Sequence, residues 1–171
     1  MTGFSPASLP CGIALGSNLG DRAAHLAQAV SALESAFGQV LCSPVYETVP
    51  QGCPAGSPPY LNAVAEVQCD WRPLTLLAFC HDLEQRAGRM RTGIYGAPRT
   101  LDADILYMGS LALDLPGLVL PHPRAHIRRF VLKPLADIRP KLVLPGQNDT
   151  VAALLAALDS AEPAPILFSQ S

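Results

Sequence analysis

Two stretches of the chain repeat their apolar residues at helical spacing, and they alternate with short apolar segments typical of strands. In the first stretch, from Arg22 to Phe37, apolar positions recur every three or four residues. Asp21 precedes it as a candidate N-cap, and Gly38 follows it as a helix stop. The second stretch runs from about Pro73 to Ala87 and has proline in its first turn. The pattern therefore predicts two helices separated by strands.

The segments around these helices predict one mixed domain. Runs typical of strands occupy residues 11–15, 40–46, 61–67, 101–108 and 111–113. The order β-α-β-β-α-β predicts an α+β fold, a ferredoxin-like antiparallel sheet sandwich with a βαββαβ core. Additional C-terminal helices are predicted at about 128–136 and 150–158. We therefore expect a single domain whose core spans about 11–158.

Two segments are rich in residues that interrupt regular structure, and both are predicted to be mobile loops. The proline-rich segment, residues 47–59, contains four prolines and two glycines. The arginine segment, residues 88–99, combines glycines with arginines in the run GRMRTGIYGAPR. Loops of about a dozen residues are often functional. Both segments are therefore candidates for binding a substrate.

The composition argues against several classes of protein. Of the 171 residues, 49% are hydrophobic and 15% are charged, which argues against intrinsic disorder. No apolar run approaches the roughly 20 residues of a membrane span, and no basic leader begins the chain. A net charge of −2 gives no general attraction to nucleic acid. We therefore expect a cytoplasmic protein, and a monomer is assumed. The five widely spaced cysteines, at positions 11, 42, 53, 69 and 80, are expected to be free thiols that serve as small core residues.

Positive charge is concentrated in two places on this mildly acidic chain. No acidic residue lies between positions 85 and 99, where the basic residues are Arg86, Arg89, Arg91 and Arg99. A second cluster consists of Arg124, Arg128, Arg129 and Lys133. Such local positive charge favours a small polyanion over a long one.

An acid pair follows the arginine segment, in the run LDADIL. Because residues two apart in a strand share a face, Asp102 and Asp104 are expected to stand roughly 6–7 Å apart. Their repulsion, about 2.5 kcal/mol at an effective dielectric constant near 20, calls for a counter-charge. Magnesium binds carboxylate oxygens together with substrate phosphates. The alternative is an ordinary strand edge whose acids pair with arginine.

The neighbouring arginines favour a phosphate site. Guanidinium groups bind phosphate oxygens in a forked geometry. Acids that hold magnesium, next to mobile arginines that neutralise developing charge, are what phosphoryl transfer requires. A solvated helix end and loop would account for Arg86. It would not account for Arg89, Arg91 and Arg99 in a context of glycine and proline.

The remaining motifs give weaker evidence for a function. His122 is a candidate donor to a phosphate or contact to a nucleotide. Its spacing to His126 matches a zinc pair, but Pro121 and Pro123 argue against a regular helix there. The run GIALGSNLG lacks both GxGxxG spacing and the GK[ST] of a P-loop, so neither a dinucleotide fingerprint nor a Walker A motif is present. It indicates instead a turn where the backbone approaches a ligand.

Several runs, in this order, resemble one family of enzymes. They are ALGSNLGD, SPVYETVPQG, PPYLNAV, GRMRTGIYGAPRTLDADILYMG and LPHPRAHIRRFVLKPLADIRP, spread from about Cys11 to about Pro145. Together they are similar to the 6-hydroxymethyl-7,8-dihydropterin pyrophosphokinases of folate biosynthesis. The combination of RTLD-x-DIL with LPHPR is the most specific part. The resemblance implies that ATP gives its terminal pyrophosphoryl group to the pterin hydroxymethyl oxygen and leaves as AMP.

The resemblance also implies a role for each matching residue. Asp102 and Asp104 would hold two magnesium ions, and Arg89 and Arg99 would be catalytic. The implied ATP contacts are Glu84, Arg91, His122 and Arg128. The implied pterin contacts are Thr48, Gln51, Tyr60, Asn62 and Phe130. Among these, the rings of Tyr60 and Phe130 would enclose the pterin ring by offset stacking.

The chain departs from the family pattern at the arginine segment. Many members have a tryptophan before Gly-Pro-Arg-Thr, whereas this chain has Tyr95-Gly96-Ala97-Pro98. Val49 and Pro123 also replace residues that are often proline and tyrosine in the family. A rival hypothesis is an inactive ferredoxin-like module that binds a nucleotide or a protein partner. The acid pair beside three arginines favours the enzyme, because a binding module has no need of both.

Overall fold

The longest strands form the centre of an antiparallel sheet in the computed structural model, which describes residues 8–50, 53, 55–89, 97–158 and 163–169. The strands are β1 (Leu9–Ser17), β2 (Val40–Cys42), β3 (Tyr46–Thr48), β4 (Tyr60–Cys69), β5 (Asp102–Met108), β6 (Leu113–Leu115), β7 (Leu118–Leu120) and β8 (Ile166–Leu167). The order in the main sheet is β5-β1-β4-β3-β8, with β2 also paired to β4. Strands β6 and β7 form a separate hairpin.

Four α-helices lie within the described residues, and they cover both faces of the sheet. They are α1 (Arg22–Phe37), α2 (Pro73–Arg86), α3 (Arg129–Ile138) and α4 (Val151–Ala157). The predicted mixed fold with an antiparallel sheet is confirmed, and each predicted helix is present within a few residues. In this part of the chain no helix has the length and apolar character needed to cross a bilayer.

One face of the sheet packs against α1 and α2. Alternate residues of the central strands, such as Ile13, Ala65 and Ala103, point into this core and are at most 4% exposed. Helix α1 begins where the Asp21 side chain accepts a hydrogen bond from the Ala24 N–H at 3.0 Å, as an N-cap does. Because one face of β5 is buried against the helices, only its other face is available for polar residues.

The opposite face packs against α3 over only part of its area, and α4 packs against α3. Val64, Leu106 and Leu132 are central residues of this second apolar cluster. Beyond it, where β5 begins and β1 ends, the same face of the sheet forms the floor of a cavity. The polar residues Asn62, Asp102 and Asp104 lie on this part of the floor.

Two predicted strands differ from the structure. The predicted strand 40–46 is divided into β2 and β3, because Pro44 has no N–H for the ladder and the Ser43 side chain accepts from the Val64 N–H at 3.0 Å. The predicted strand 111–113 lies at Leu113–Leu115 instead, where it pairs with β7 around Gly117. Gly117 has a φ of 82°, which suits the turn.

The cysteines in the described residues are free, as predicted. Cys11, Cys69 and Cys80 are buried in the core, which is the environment expected for small apolar thiols. Cys42 is exposed and Cys53 is half-buried beside the cavity. The thiols are therefore not all core residues.

Candidate active site

A cavity of about 620 Å³ brings together most of the residues that the sequence singled out. Those that line it are Thr48, Tyr60, Asn62, Glu84, Arg89, Arg99, Asp102, Asp104, His122, Arg128 and Phe130. The residues come from the sheet, α2, the start of α3 and the loops between them. Gln51 and Arg91 lie outside the described residues, as do Tyr95 and Gly96 of the arginine segment.

The register of the sheet places the polar residues side by side on the floor of the cavity. Gly16 of β1 lies opposite Asn62 on one side and Asp102 on the other, and Ala14 lies opposite Asp104. A Cβ atom on Gly16 would stand 3.3 Å from Asn62 Oδ1 and 3.9 Å from the Asp102 Cβ. Small residues on β1 therefore keep the space above the floor open.

The carboxylate of Asp102 is held by two arginines. Arg89 Nη1 donates to its Oδ1 at 2.6 Å, and Arg99 Nη1 donates to its Oδ2 at 2.9 Å. Arg89 also pairs with Glu84, a residue of α2 that is 4% exposed. Glu84 in turn accepts the Ala103 N–H at 3.1 Å, which ties the helix to β5. The predicted alternative, an acid paired with arginine, therefore describes Asp102 in this structure.

Asp104 has a different environment. No donor among the described residues forms a hydrogen bond with its carboxylate, although the residue is partly buried. Burial, and then the charge of Asp102, raise the pKa of Asp104 to about 6, and the opposing effects of Arg128, Arg89 and Arg99 are smaller. A carboxylate in this position gains from a cation. Two carboxylates and an open cavity suit magnesium, which completes its shell with water and phosphate oxygens.

The side chains at one end of the cavity suit a flat polar ring. Asn62 is 7% exposed, and its Nδ2 donates to Thr48 Oγ1 at 2.7 Å. Tyr60 and Phe130 both line the cavity, and the Arg128 guanidinium lies 5.4 Å from the Phe130 ring centroid. Burial raises the pKa of Tyr60 to about 12, so its hydroxyl stays protonated at neutral pH. Cys53 also lines the cavity, although the sequence did not mark it as a site residue.

His122 is a neutral donor at the polar wall. Burial, followed by the charges of Arg128 and Arg124, lowers the pKa of His122 to about 4. Its Nδ1 atom accepts the Arg124 N–H at 3.1 Å, so the proton of the neutral ring lies on Nε2. An Nε2–H donor suits a phosphate oxygen or a nucleotide hydroxyl.

Another part of the wall was not predicted from the sequence. It comes from α2 and from the β6–β7 hairpin, and its side chains are Leu77, His81, Leu118 and Val119. No motif marks these residues. The helical spacing of Leu77, His81 and Glu84, at i, i+4 and i+7, is the one signal that could have grouped them.

The cavity combines an acid pair, four arginines and a neutral histidine on a mixed α/β fold. This combination is typical of an enzyme that transfers a phosphoryl or pyrophosphoryl group. Residues 12–140 match the family model described as 7,8-dihydro-6-hydroxymethylpterin-pyrophosphokinase. The chain therefore belongs to this family, and the resemblance stated from its motifs is confirmed. It is a pyrophosphokinase of folate biosynthesis that uses ATP and 6-hydroxymethyl-7,8-dihydropterin.

Individual relatives agree with the family assignment. The chain is 43% identical over 135 residues to 2-amino-4-hydroxy-6-hydroxymethyldihydropteridine pyrophosphokinase of Pseudomonas aeruginosa, with 78% of this chain and 82% of that protein covered. It is 41% identical over 128 residues to the protein of the same name from Bacillus subtilis, with 74% and 75% covered.

Solved structures support the fold. A wild-type Plasmodium falciparum HPPK-DHPS chain superposes with a TM-score of 0.67 at 14% identity, covering 90% of this chain and 45% of that one. An HPPK-DHPS in complex with substrates gives a TM-score of 0.70 at 14% identity, covering 88% and 43%. This chain thus spans less than half of those longer proteins. At such identity the likeness concerns the fold alone.

Proposed function

We propose that this cavity is the place where the pyrophosphoryl group passes from ATP to the pterin hydroxymethyl oxygen. The observation that carries the proposal is Asp104. Its carboxylate stands beside Asp102 in a cavity lined by arginines, and no described residue donates to it. An ionised carboxylate that accepts no hydrogen bond is costly inside a protein, and this cost supports a site for a cation that comes with the substrate.

Asp102 and Asp104 are the proposed ligands of two magnesium ions. Among the described residues there is no cluster of three or more His, Cys, Asp or Glu side chains suited to a metal. Two carboxylates suit magnesium that arrives with nucleotide phosphates, because the ion binds few protein ligands and several waters and phosphates. When bound, magnesium neutralises phosphate charge and orients the reacting group.

The arginines that hold Asp102 in the structure are the proposed catalytic residues. Arg89 and Arg99 each direct a guanidinium group into the cavity, next to the carboxylates. Their role is to neutralise the charge that develops on the transferred phosphates and on the leaving AMP. Arg128 and His122 lie on the wall of the same cavity and are the proposed contacts to the ATP phosphates and ribose, with Arg91 as a further predicted contact.

The pterin is proposed to lie between the rings of Tyr60 and Phe130. The amide of Asn62 and the hydroxyl of Thr48 supply hydrogen bonds at the pterin edge, helped by the backbone around Gln51. A pterin offers alternating donors and acceptors along this edge, and an amide matches both kinds. The apolar residues Leu77, Leu118 and Val119 on the other wall suit the base of the nucleotide, with His81 beside them.

The finer features of the fold belong to the same proposal. The strand order β5-β1-β4, followed by β3 and β2 on the other edge of β4, supports a ferredoxin-like βαββαβ core with added C-terminal helices. The single-domain core of about 11–158, the monomeric state and the cytoplasmic location stay predictions from the sequence.

The product of the reaction tests the proposal. The protein is mixed with Mg-ATP and 6-hydroxymethyl-7,8-dihydropterin, and the nucleotide products are separated. We expect AMP in an amount equal to the pterin diphosphate. ADP as the product would contradict pyrophosphoryl transfer, and the absence of any nucleotide product would favour the rival binding module.

The metal assignment is tested with Asp104→Ala and the matched control Asp114→Ala. Asp114 is an exposed acid of β6 outside the cavity. AMP formation should be lost in the first variant and retained in the second, with both variants folded by circular dichroism. Retention of most activity in Asp104→Ala would disprove the assignment.

A further inference from the structure

Asn18, a residue that the proposed function leaves without a role, is hydrogen-bonded to both segments that border the cavity. It follows directly after β1 and is 1% exposed. Its backbone N–H donates to the carbonyl oxygen of Arg99 at 3.0 Å, and its Oδ1 accepts the Arg99 N–H at 2.7 Å. Its Nδ2 donates to the carbonyl oxygen of Pro58 at 3.3 Å. One residue thus joins the end of the arginine segment to the end of the proline-rich segment.

The two bonds to Arg99 fix the backbone from which the guanidinium group extends. Both polar groups of the Arg99 residue backbone, its N–H and its carbonyl oxygen, are bonded to Asn18. The Arg99 side chain then reaches Asp102 Oδ2 at 2.9 Å. Asp102 is itself placed against β1, because it pairs with Gly16 in the sheet. The end of β1 therefore positions both the arginine and the carboxylate that it contacts.

The bond to Pro58 links the same side chain to the part of the cavity proposed for pterin. Pro58 precedes β4, whose first residues include Tyr60 and Asn62. A second anchor acts on this segment alone: Arg22 Nη1 donates to the Pro59 carbonyl oxygen at 2.8 Å and pairs with Glu47 at 3.0 Å. Neither contact of Arg22 involves Arg99.

The chemistry of the side chain is specific to this arrangement. The Arg99 N–H needs an acceptor and the Pro58 carbonyl needs a donor, and an amide supplies both from one position. A carboxylate at this position would keep the acceptor and lose the donor. An apolar side chain would lose both and leave buried polar groups unpaired.

We propose that Asn18 is a positioning residue that couples the pterin-binding side of the cavity to the catalytic arginine. It holds Arg99 where the guanidinium can meet developing phosphate charge, and it holds the proline-rich segment at the same time. The inference rests on the role proposed above for Arg99.

A double-mutant cycle in the full-length protein tests the coupling, with AMP formation from Mg-ATP and 6-hydroxymethyl-7,8-dihydropterin as the assay. We expect Asn18→Ala to lower kcat by about tenfold to a hundredfold, since small displacements of a catalytic group are costly. In the Arg99→Ala background the same change should lower kcat by less than about twofold, because the guanidinium that Asn18 positions is absent. The proposal would be overturned if Asn18→Ala lowered kcat by the same factor in both backgrounds. It would also be overturned if Asn18→Ala left the kcat of the otherwise wild-type protein unchanged.

Two further variants separate the two functions of the amide. Asn18→Asp keeps the acceptor for Arg99, so kcat should stay within about threefold of the wild type while KM for the pterin rises. Arg22→Ala should raise KM for the pterin and leave kcat within about twofold, because it touches the proline-rich segment alone. If Asn18→Ala does not fold, the kcat and the pterin KM of Asn18→Asp test the coupling instead. A fall in its kcat with an unchanged pterin KM would count against the coupling.

The wild type and Arg99→Ala show which proposal has failed. A wild-type protein that forms no AMP, or an Arg99→Ala variant with full activity, would contradict the proposed function. An active wild type with a strongly impaired Arg99→Ala and additive effects of Asn18→Ala would contradict the coupling alone.

Discussion

Glu66 and Asp104 lie on the same face of the sheet, and they show two ways to place a carboxylate there. Glu66 is 5% exposed and pairs with Gly12 across β1 and β4, whereas Asp104 pairs with Ala14 across β1 and β5. Glu66 accepts bonds from the Tyr107 hydroxyl and from Arg139, whose Nε is at 2.9 Å and Nη2 at 2.5 Å. Asp104 accepts none from the described residues.

The pKa values of the two groups shift in opposite directions. Burial alone would raise the pKa of Glu66, but hydrogen bonds from Arg139 and Tyr107 outweigh it and the pKa is lowered. Burial and Asp102 raise the pKa of Asp104 to about 6. Glu66 is therefore a hydrogen-bonded ion that joins the sheet to Arg139, the residue that follows α3. Asp104 accepts no hydrogen bond from the described residues, so its environment suits a cation that arrives with the substrate.

The largest expected effect separates the two groups by activity. We expect Asp104→Asn to lower kcat/KM by about a thousandfold or more, since the removal of a metal ligand costs several kcal/mol in the transition state. Glu66→Gln should change it by less than about threefold. Steady-state AMP formation measures kcat/KM for both variants. A similar loss in the two would contradict the assignment of a catalytic role to Asp104 and a structural role to Glu66.

The next effect concerns stability. Glu66→Gln should lower the free energy of unfolding by about 1–2 kcal/mol, because it weakens bonds to a Tyr107 hydroxyl that is buried and to a half-exposed Arg139. Urea unfolding followed by circular dichroism measures this. Asp114→Asn, on the exposed β6, serves as the control and should leave the midpoint unchanged.

Asp104→Asn should have a smaller effect of the opposite sign. Its raised pKa means that the folded protein disfavours the ionised carboxylate at neutral pH, so removal of the charge should stabilise the protein by about 1 kcal/mol. The measurement is urea unfolding in the presence of EDTA, so that no divalent cation contributes. A loss of stability comparable with that of Glu66→Gln would show that Asp104 has a structural partner.

The smallest effect is the pH dependence of these two differences. The pKa of Glu66 is lowered on folding, so its stabilisation is present above its ordinary pKa and is lost as the pH falls through the folded value. The pKa of Asp104 is raised to about 6, so its destabilisation is present above that value and disappears as the pH falls through its ordinary range. Unfolding curves at pH about 7 and about 4 should show the Asp104→Asn difference shrinking towards zero. Most of the Glu66→Gln difference should remain until the pH falls through the lowered pKa of Glu66.

Much of the fold could be predicted because its signals are local. The spacing of apolar residues predicted α1 with the bounds Arg22 and Phe37, and the Asp21 cap was identified from sequence. The strand 40–46 was wrong in detail because Ser43 and Pro44 interrupt a ladder whose partner, β4, is distant in the chain. The second strand of the β6–β7 hairpin was missed, because three apolar residues carry too little periodicity to separate from a loop.

The candidate site, like the fold, could be predicted only where its signals are local in the sequence. Alternation along β5 was enough to predict that Asp102 and Asp104 share a face, and the glycine-rich context of the arginines was enough to favour a phosphate. Neither pattern was enough to predict that Arg89 contacts both Glu84 and Asp102 in the structure. Those partners depend on how α2 packs against β5.

By itself the sequence determined the periods of the helices and strands, the acid pair on one face and the motifs of the pyrophosphokinase family, because each of these lies within a few consecutive residues. Only the tertiary structure decided which charges meet. Arg139 reaches Glu66 across 73 positions of sequence, and Asn18 reaches Arg99 across 81. Such contacts depend on the packing of whole elements. The contrast between Glu66, which accepts several hydrogen bonds, and Asp104, which accepts none from the described residues, therefore became visible only in three dimensions.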